Sequence, residues 1–231
     1  MILAAGRGTR LGGMGLTMPK VLVEVGGQPL LESQIEYLAR EGIERVVINA
    51  HYRAEAIERF ADRYQGPLRL IVIREQKLLG TAGGVRNALD FLGPQPFFVL
   101  YGDVVIDEPL APIVAAHRRR AAAATVTVYE SESVEGKGTV LVDEQSWVRR
   151  FAEKQAAVRE PSLINAGLYL LEPPFLADVP PETELDFGHD IFPAALARGS
   201  RVLAFRLPQP VIDVGTPEGL SLARARAATL R

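Results

Sequence analysis

The sequence contains no cysteine, which removes disulfides, thiol catalysis and cysteine-ligated metals from consideration. Histidine is scarce as well. His51, His117 and His189 stand far apart, which argues against a zinc site, so a metal would have to rest on carboxylates and phosphate oxygens, a donor set that suits Mg2+. No apolar run approaches the ~18 residues that a membrane-spanning helix needs. Nor is there a signal-peptide pattern, because the first apolar residues run straight into Arg7 and Arg10. The expected setting is cytoplasmic. Charge of one sign is also missing: 26 basic against 28 acidic residues leave a net charge of −2, which gives no reason to expect nucleic acid or an anionic membrane as a partner. Among the basic residues lysine is rare, with only Lys20, Lys77, Lys137 and Lys154. Codon bias explains most of that skew, yet a surviving lysine marks a place where a compact, rotatable ammonium suits better than a planar fork.

Against these absences stands an ordinary globular composition, 48% hydrophobic and 23% charged over 231 residues, enough for one large domain or one plus a small subdomain. The chain opens on five apolar or small residues, Met1 to Ala5, which read as a buried strand. They stop at a turn built of Gly6, Arg7, Gly8, Thr9 and Arg10, followed by Leu11 and, further on, Pro19-Lys20. Gly6 and Gly8 free the backbone for positive φ and for close approach to an anion, and Arg7, Arg10 and Lys20 add positive charge, so the segment reads as a phosphate site. The Walker A pattern is absent, and the dinucleotide fingerprint GxGxxG is only half met, with Leu11 in place of the third glycine. Taken alone, the GxG is equally an ordinary strand-to-helix turn.

Periodicity predicts a short strand over 21–25, a helix over 29–41 carrying Leu30, Leu31, Ile35 and Leu38 on one stripe, and a strand at RVVINA over 45–50. A second helix over 54–64, a strand over 68–73, a helix over 85–92 and a strand at PFFVLY over 96–101 follow. Continuous apolar strands alternating with helices imply a doubly wound α/β fold with a mostly parallel sheet, whose ligands lie beyond the carboxyl ends of the strands. Three features fall there: Gly6–Arg10, Glu75–Gly84 and Gly102-Asp103. From about residue 111 the pattern changes. His117–Arg120 closes a helix and reads as a solvated basic end, and strands over 125–129, 138–142, 147–152 and 163–171 alternate in character, as an antiparallel extension would. A proline-rich turn over 172–181, a helix over 190–197 and a last helix begun at Pro217 complete the chain.

The ordered set of motifs resembles the sugar-1-phosphate nucleotidylyltransferases. Leu3 to Leu11 with Pro19-Lys20 is similar to their LAAGxGTRL…PK opening, Leu79–Gly84 to LGTAG, and Gly102-Asp103 to the GD that ends a strand. Gly138-Thr139-Val140…Val148…Phe151-Ala152-Glu153-Lys154 is similar to YG(T/V)V…V..F.EK, Asn165–Tyr169 to NAGIY, and Asp213–Glu218 to D(V/I/T)GTPE. The chain departs from the family pattern at Gly12-Gly13, Val21 and Gln155, where prolines are usual. The resemblance implies a Rossmann-like, glycosyltransferase-A-like fold with an antiparallel sugar-binding extension. It also implies a single domain over 1–231, with a nucleotide-binding part over 1–110 and a sugar-binding part with the closing helix over 111–231.

For the site, the resemblance implies Leu3, Ala5, Gly6, Gly8, Thr9, Arg10, Gly80, Thr81 and Gly102 around the nucleotide, with Glu75 or Gln76 reading the base. Arg10, Lys20 and Asp103 are the catalytic candidates, and two of the four lysines, Lys20 and Lys154, fall on positions the family uses. Gly138, Glu153, Lys154, Asn165 and Gly167 would hold the sugar phosphate, and Asp103 with Asp213 would hold Mg2+. Asp107 reads as a solvated turn residue. The substrates implied are an NTP and a sugar 1-phosphate, in the direction of GTP with a mannose- or heptose-type sugar from LGTAG and DFGHDIFPAAL. Uridylyl transfer to a hexose or amino-sugar phosphate stands close behind, and a catalytically inactive nucleotide-binding regulator is the alternative of another class. A cytidylyltransferase for a phospho-alcohol is disfavoured by NAGLY and Glu-Lys. The chain leaves no room for the C-terminal β-helix of some relatives, so no acyltransferase activity is expected, and a homo-oligomer is compatible with all of this.

Overall fold

Apolar residues that face both sides of a sheet must be covered on both sides, and the strand over Arg45–Ala50 shows it: Val46, Val47, Ile48 and Ala50 are all buried. The computed structural model describes residues 1–6, 8, 18–132, 138–153 and 162–229, with backbone alone at 152, 153 and 229. Its contacts divide the chain into two units, each assembled from separate stretches. Unit 1 takes 1–78, 100–107 and 211–231, and unit 2 takes 79–99 and 108–210.

Unit 1 is built on parallel strands. β1 (Ile2–Leu3) lies between β4 (Arg45–Ala50) and the last residues of β6 (Phe97–Tyr101), pairing Leu3 with Asn49 and with Tyr101, and β5 (Arg69–Arg74) lies beyond β4. Helices α1 (Leu30–Arg40) and α2 (Ala54–Arg63) belong to the same unit. The strand expected over 21–25 is replaced by a 3-10 turn over Lys20–Leu22 and a two-residue hairpin of β2 (Glu24–Val25) with β3 (Gln28–Pro29). The physical reason lies in Pro19: its carbonyl accepts the Leu22 N–H at 2.9 Å and starts a tight turn before any strand can pair. β7 (Val104–Val105) pairs antiparallel with β13 (Ile212–Asp213), and the closing helix α7 (Pro217–Thr229) packs on this unit through Leu220 and Ala223.

Unit 2 holds a longer, mostly antiparallel set of strands. β8 (Ala124–Ser131), β9 (Gly138–Val142), β10 (Val148–Glu153) and β11 (Ser162–Leu171) pair as β10–β9–β11–β8, and β12 (Val202–Arg206), a strand not expected from the sequence, runs parallel to β8. The helix expected over 85–92 instead begins at Gly80, as α3 (Gly80–Asn87) followed by α4 (Leu89–Leu92). Helix α5 (Leu110–Arg120) ends on the basic run, and α6 (Phe192–Ala197) follows a π-turn over Phe187–Ile191. Phe151 stacks on Phe192 at 4.4 Å between centroids, with Tyr169, Phe175 and Phe187 completing the aromatic core around that ring. Among the described residues no helix is long and apolar enough to cross a membrane.

Candidate active site

Asp103 stands in the turn between β6 and β7, and the turn is held from four directions. The Gly102 N–H donates to the Leu3 carbonyl at 3.0 Å, and the Val214 N–H donates to the Asp103 carbonyl at 2.7 Å. Gln34 on α1 straddles the turn, its Nε2 donating to Tyr101 O at 3.0 Å and to Val104 O at 2.8 Å. The fourth hold is on the side chain, where Lys20 Nζ donates to Asp103 Oδ2 at 2.8 Å. Position 102 must be glycine here, since a Cβ would lie 2.4 Å from Leu3 O and 2.6 Å from Val21 Cγ1. The close approach that Gly102 permits is therefore made by the chain's own β1 and by the turn that carries Lys20.

Asp213 reaches the same place from the other end of the sequence. It pairs with Val104 across the two-rung ladder, so Asp103 and Asp213 occupy neighbouring positions at one end of it. Asp213 Oδ1 accepts the Gly215 N–H at 2.6 Å, and Gly219 leaves room for the Asp213 carbonyl, which a Cβ would meet at 1.7 Å. The chemistry of this pair fits Mg2+: two hard oxygen donors, Asp213 exposed and Asp103 partly so, with an ammonium beside them. No group of three or more metal-ligating side chains gathers among the described residues, so an ion held by this pair would take its remaining ligands from phosphate and water oxygens.

The phosphate-loop residues are described in part. Gly8 is buried with a φ of 64°, the positive value its residue type permits, and Gly6 is exposed with nothing within 4 Å of where a Cβ would stand. Arg7, Thr9 and Arg10 lie outside the described residues. Behind Leu3 and Ala5 runs a buried chain that the motifs did not predict. The Ala4 N–H donates to Asn49 Oδ1 at 2.8 Å, and Asn49 Nδ2 donates to Glu75 Oε1 at 2.7 Å. Asn49 and Glu75 are both buried, the Glu75 carbonyl takes a hydrogen bond with His51 Nδ1 at 3.0 Å, and Gln76 is exposed. Gln34 and Asn49, neither of them expected at the site, had both left a mark in the sequence. Gln34 is a polar residue on the apolar stripe of α1, and Asn49 interrupts an otherwise apolar strand.

In unit 2, Gly80 has a φ of 71°, and a Cβ there would meet Leu185 O at 2.4 Å. At Gly83 it would meet Thr183 O at 2.1 Å. The Ala82 and Gly83 N–H groups donate to Leu185 O at 2.9 and 3.2 Å, and Thr81 Oγ1 donates to Asp186 Oδ2 at 2.6 Å while accepting the Phe187 N–H at 2.9 Å. The chain's own 183–187 segment thus caps the first turn of α3, which explains why that helix starts at Gly80. Glu75 belongs to unit 1 and Gly80 and Thr81 to unit 2.

The acceptor-side candidates gather within unit 2. Gly138 pairs with Glu153 on the last rung of β9–β10, and Ile164 pairs with Thr139, which sets Asn165 beside Gly138, its Cβ 4.0 Å from where a Gly138 Cβ would stand. A bulge in β11 between Asn165 and Tyr169 leaves Gly167 at a φ of 74°. Asn165 Oδ1 accepts the Gly167 N–H at 3.1 Å, and its Nδ2 donates to the buried Tyr169 hydroxyl at 2.6 Å. Lys154 lies outside the described residues, and Glu153 is placed by its backbone. Asp107 is exposed and pairs with Arg40 at 2.9 Å, a solvated contact as expected. A groove of about 930 Å³ lined by Leu22, Ala39, Phe60 and Tyr64 in unit 1 holds none of the candidate site residues.

Residues 1–229 match the nucleotidyl transferase family. A mannose-1-phosphate guanyltransferase from Schizosaccharomyces pombe is 34% identical over 226 residues, 94% of this chain and 61% of the relative. A UTP–glucose-1-phosphate uridylyltransferase from Synechocystis is 32% identical over 233 residues, 93% of this chain and 59% of the relative. Among solved structures, HddC from Yersinia pseudotuberculosis, complexed with GMP-PN, aligns with a TM-score of 0.85 at 26% identity over 97% of each chain. The chain spans about three fifths of the length of the curated relatives it matches.

Proposed function

Because this chain belongs to the nucleotidyl transferase family, we propose that it joins a nucleoside triphosphate to a sugar 1-phosphate, giving an NDP-sugar and pyrophosphate. The observation that carries this reading is the convergence of Lys20, Asp103 and Asp213, remote in sequence, on one end of a two-rung ladder. A sugar-phosphate oxygen forms the new bond to the α-phosphorus in line as the bond to the β-phosphate oxygen breaks, and the electron pair leaves on pyrophosphate. The attacking oxygen is already anionic, so the reaction needs no general base. Positioning and charge neutralisation are then what the protein must supply.

Lys20 would place its ammonium on the α-phosphate or the acceptor, and Arg10 with the backbone of Leu3, Ala5, Gly6, Gly8 and Thr9 would hold the triphosphate. Asp103 and Asp213 would hold a Mg2+ ion, which when bound supplies orientation and neutralisation of phosphate charge. Glu75 would read the base, with Gly80 and Thr81 shaping the nucleotide side of unit 2 and Gly102 the turn of Asp103. The sugar phosphate would be read by Gly138, Glu153, Lys154, Asn165 and Gly167. The cysteine-free sequence is in keeping with a cytoplasmic setting.

GTP with a mannose- or heptose-type sugar phosphate is the reading we favour, supported by the guanyltransferase relative and by the GMP-PN complex of HddC. The uridylyltransferase relative favours a second reading, UTP with a hexose phosphate. Pyrophosphate release with Mg2+ across GTP, UTP, CTP, ATP and dTTP against mannose, glucose, N-acetylhexosamine and heptose 1-phosphates tests both. One productive combination names the substrates. Tight binding of a nucleotide with no release in any combination would overturn the transferase reading in favour of a nucleotide-binding regulator.

A further inference from the structure

Resting on the proposed nucleotidyl transfer, we infer that Asn49 is a positioning residue that couples the base-reading end of the nucleotide site, at Glu75, to its phosphate-holding end, at Ala4. Asn49 is 2% exposed and Glu75 4%, so neither side chain has solvent to fall back on, and each polar atom must find its partner in the protein. Asn49 meets a backbone N–H on one side and a carboxyl oxygen on the other, at 2.8 and 2.7 Å. Those neighbours force the orientation of its amide: Oδ1 must face the Ala4 donor, and Nδ2 must face the Glu75 acceptor.

Ala4 is the first residue after β1 and stands two positions before Gly6, where the glycine-rich segment begins. Glu75 is the first residue after β5. Its own N–H donates to Ala50 O at 2.7 Å, so the backbone at the end of β4 is tied to the residue after β5 as well as the side chains. One buried amide therefore joins the strand ends at which the two halves of a nucleotide would be met. A tilt of the Glu75 carboxyl on binding a base is carried by a rigid link of two short hydrogen bonds to the Ala4 N–H, with no solvent to absorb it.

Such a link has a consequence that base reading alone does not: breaking it at Asn49 should alter affinity for pyrophosphate, which has no base. Titration calorimetry with Mg2+-pyrophosphate, 15N-detected amide exchange at Ala4, and kcat and KM for the NTP would be measured on wild type, Glu75→Gln, Asn49→Leu, Asn49→Asp and the pair Asn49→Asp with Glu75→Gln. Glu75→Gln keeps an oxygen for Asn49 Nδ2 and should leave pyrophosphate affinity and Ala4 exchange within about twofold of wild type, while base discrimination and KM change. Asn49→Leu and Asn49→Asp break the link, the second by setting two carboxyl groups face to face, and each should weaken pyrophosphate binding and speed Ala4 exchange by roughly tenfold. The pair exchanges amide and carboxyl between the two positions. In it the new carboxylate at position 49 still accepts from the Ala4 N–H and now also accepts from the new amide at position 75, so exchange and pyrophosphate affinity should return towards wild type. That recovery also serves if Asn49→Leu does not fold.

Unchanged pyrophosphate affinity and Ala4 exchange in both single Asn49 variants would overturn the inference, as would failure of the pair to recover while remaining folded. If wild type binds neither pyrophosphate nor any nucleotide, the transferase reading falls. The exchange series then decides separately whether Asn49 holds Ala4.

Discussion

Replacing Gly102 with alanine places a methyl group where the structure has none to spare. The new Cβ would stand 2.4 Å from Leu3 O and 2.6 Å from Val21 Cγ1, each roughly 1 Å short of ordinary contact at ~3.5 Å. Neither neighbour yields easily. The Leu3 carbonyl accepts the Gly102 N–H itself at 3.0 Å, and Val21 belongs to the buried turn that begins at Lys20. Overpacking of this kind destabilises by ~1–3 kcal/mol, and loss of the hydrogen bond adds about 1 kcal/mol, so a total near 3 kcal/mol is expected. For a domain of this size that lowers Tm by about 6–12 °C.

The same displacement moves Asp103 away from Lys20 and Asp213, and a misplacement of ~1 Å at a reacting centre can lower the rate by about 100-fold. Gly6→Ala is the control for stability, because nothing lies within 4 Å of its Cβ position, and its Tm should stay within about 2 °C of wild type. Calorimetric melting and pyrophosphate release would be measured on both variants. A Gly102→Ala protein with the wild-type Tm and kcat would refute the claim that packing against Leu3 and Val21 is what places Asp103.

Lys20→Met removes the ammonium beside Asp103, and pyrophosphate release should fall about 100-fold or more while the far-UV spectrum stays unchanged; a loss under threefold would rule Lys20 out as a phosphate contact. Thr81→Ala deletes the hydroxyl that joins Asp186 to the Phe187 N–H, which should lower stability by about 1–2 kcal/mol in urea titration, with Thr81→Ser close to wild type; equal midpoints for the two variants would contradict that role. The Asp186 N–H, then His189, hold the Asp190 carboxyl below its usual range. A depressed carboxyl contributes stability above its unfolded pKa of ~3.9 that is lost as pH falls through the lower folded value, so Asp190→Asn should flatten the decline of Tm below about pH 4. Parallel Tm profiles for wild type and variant from pH 6 to 3 would refute it.

Much of unit 1 was legible because its physics is local. RVVINA reads as a two-sided buried strand from its residues alone, and the stripe of α1 follows from Leu30, Leu31, Ile35 and Leu38. Asp103 and Asp213 were legible through motif resemblance, although only pairing of β7 with β13 shows how they meet. The glycines were harder to read. A glycine states that something approaches closely, and the sequence does not say what: at Gly80 and Gly83 it is the chain's own Leu185 and Thr183, a contact across about 100 residues. The same contact supplies the acceptor that lets α3 begin at Gly80, so the helix start too depends on a partner remote in sequence. β12 was overlooked because VLAFR is short and its partner β8 lies about 80 residues earlier.

A ladder of two rungs cannot hold two carboxylates in place by its own hydrogen bonds, so the rigidity of the pair must come from elsewhere. On one side it comes from alternation. Ile212 and Val214 are buried while Asp213 between them is exposed, so the strand is anchored in the cluster of Val23, Val25, Leu30, Leu220 and Ala223 and turns only the aspartate outward. On the other side it comes from Gln34, whose Nε2 serves two carbonyls of the Asp103 turn while its buried Oε1 has no hydrogen-bond partner among the described residues. A leucine at this position of the apolar stripe would leave Tyr101 O and Val104 O without these donors, and with them the turn that carries Asp103. The pair thus borrows its order from the helix and the closing-helix core on either side of it, with Gln34 joining the two carbonyls that flank Asp103.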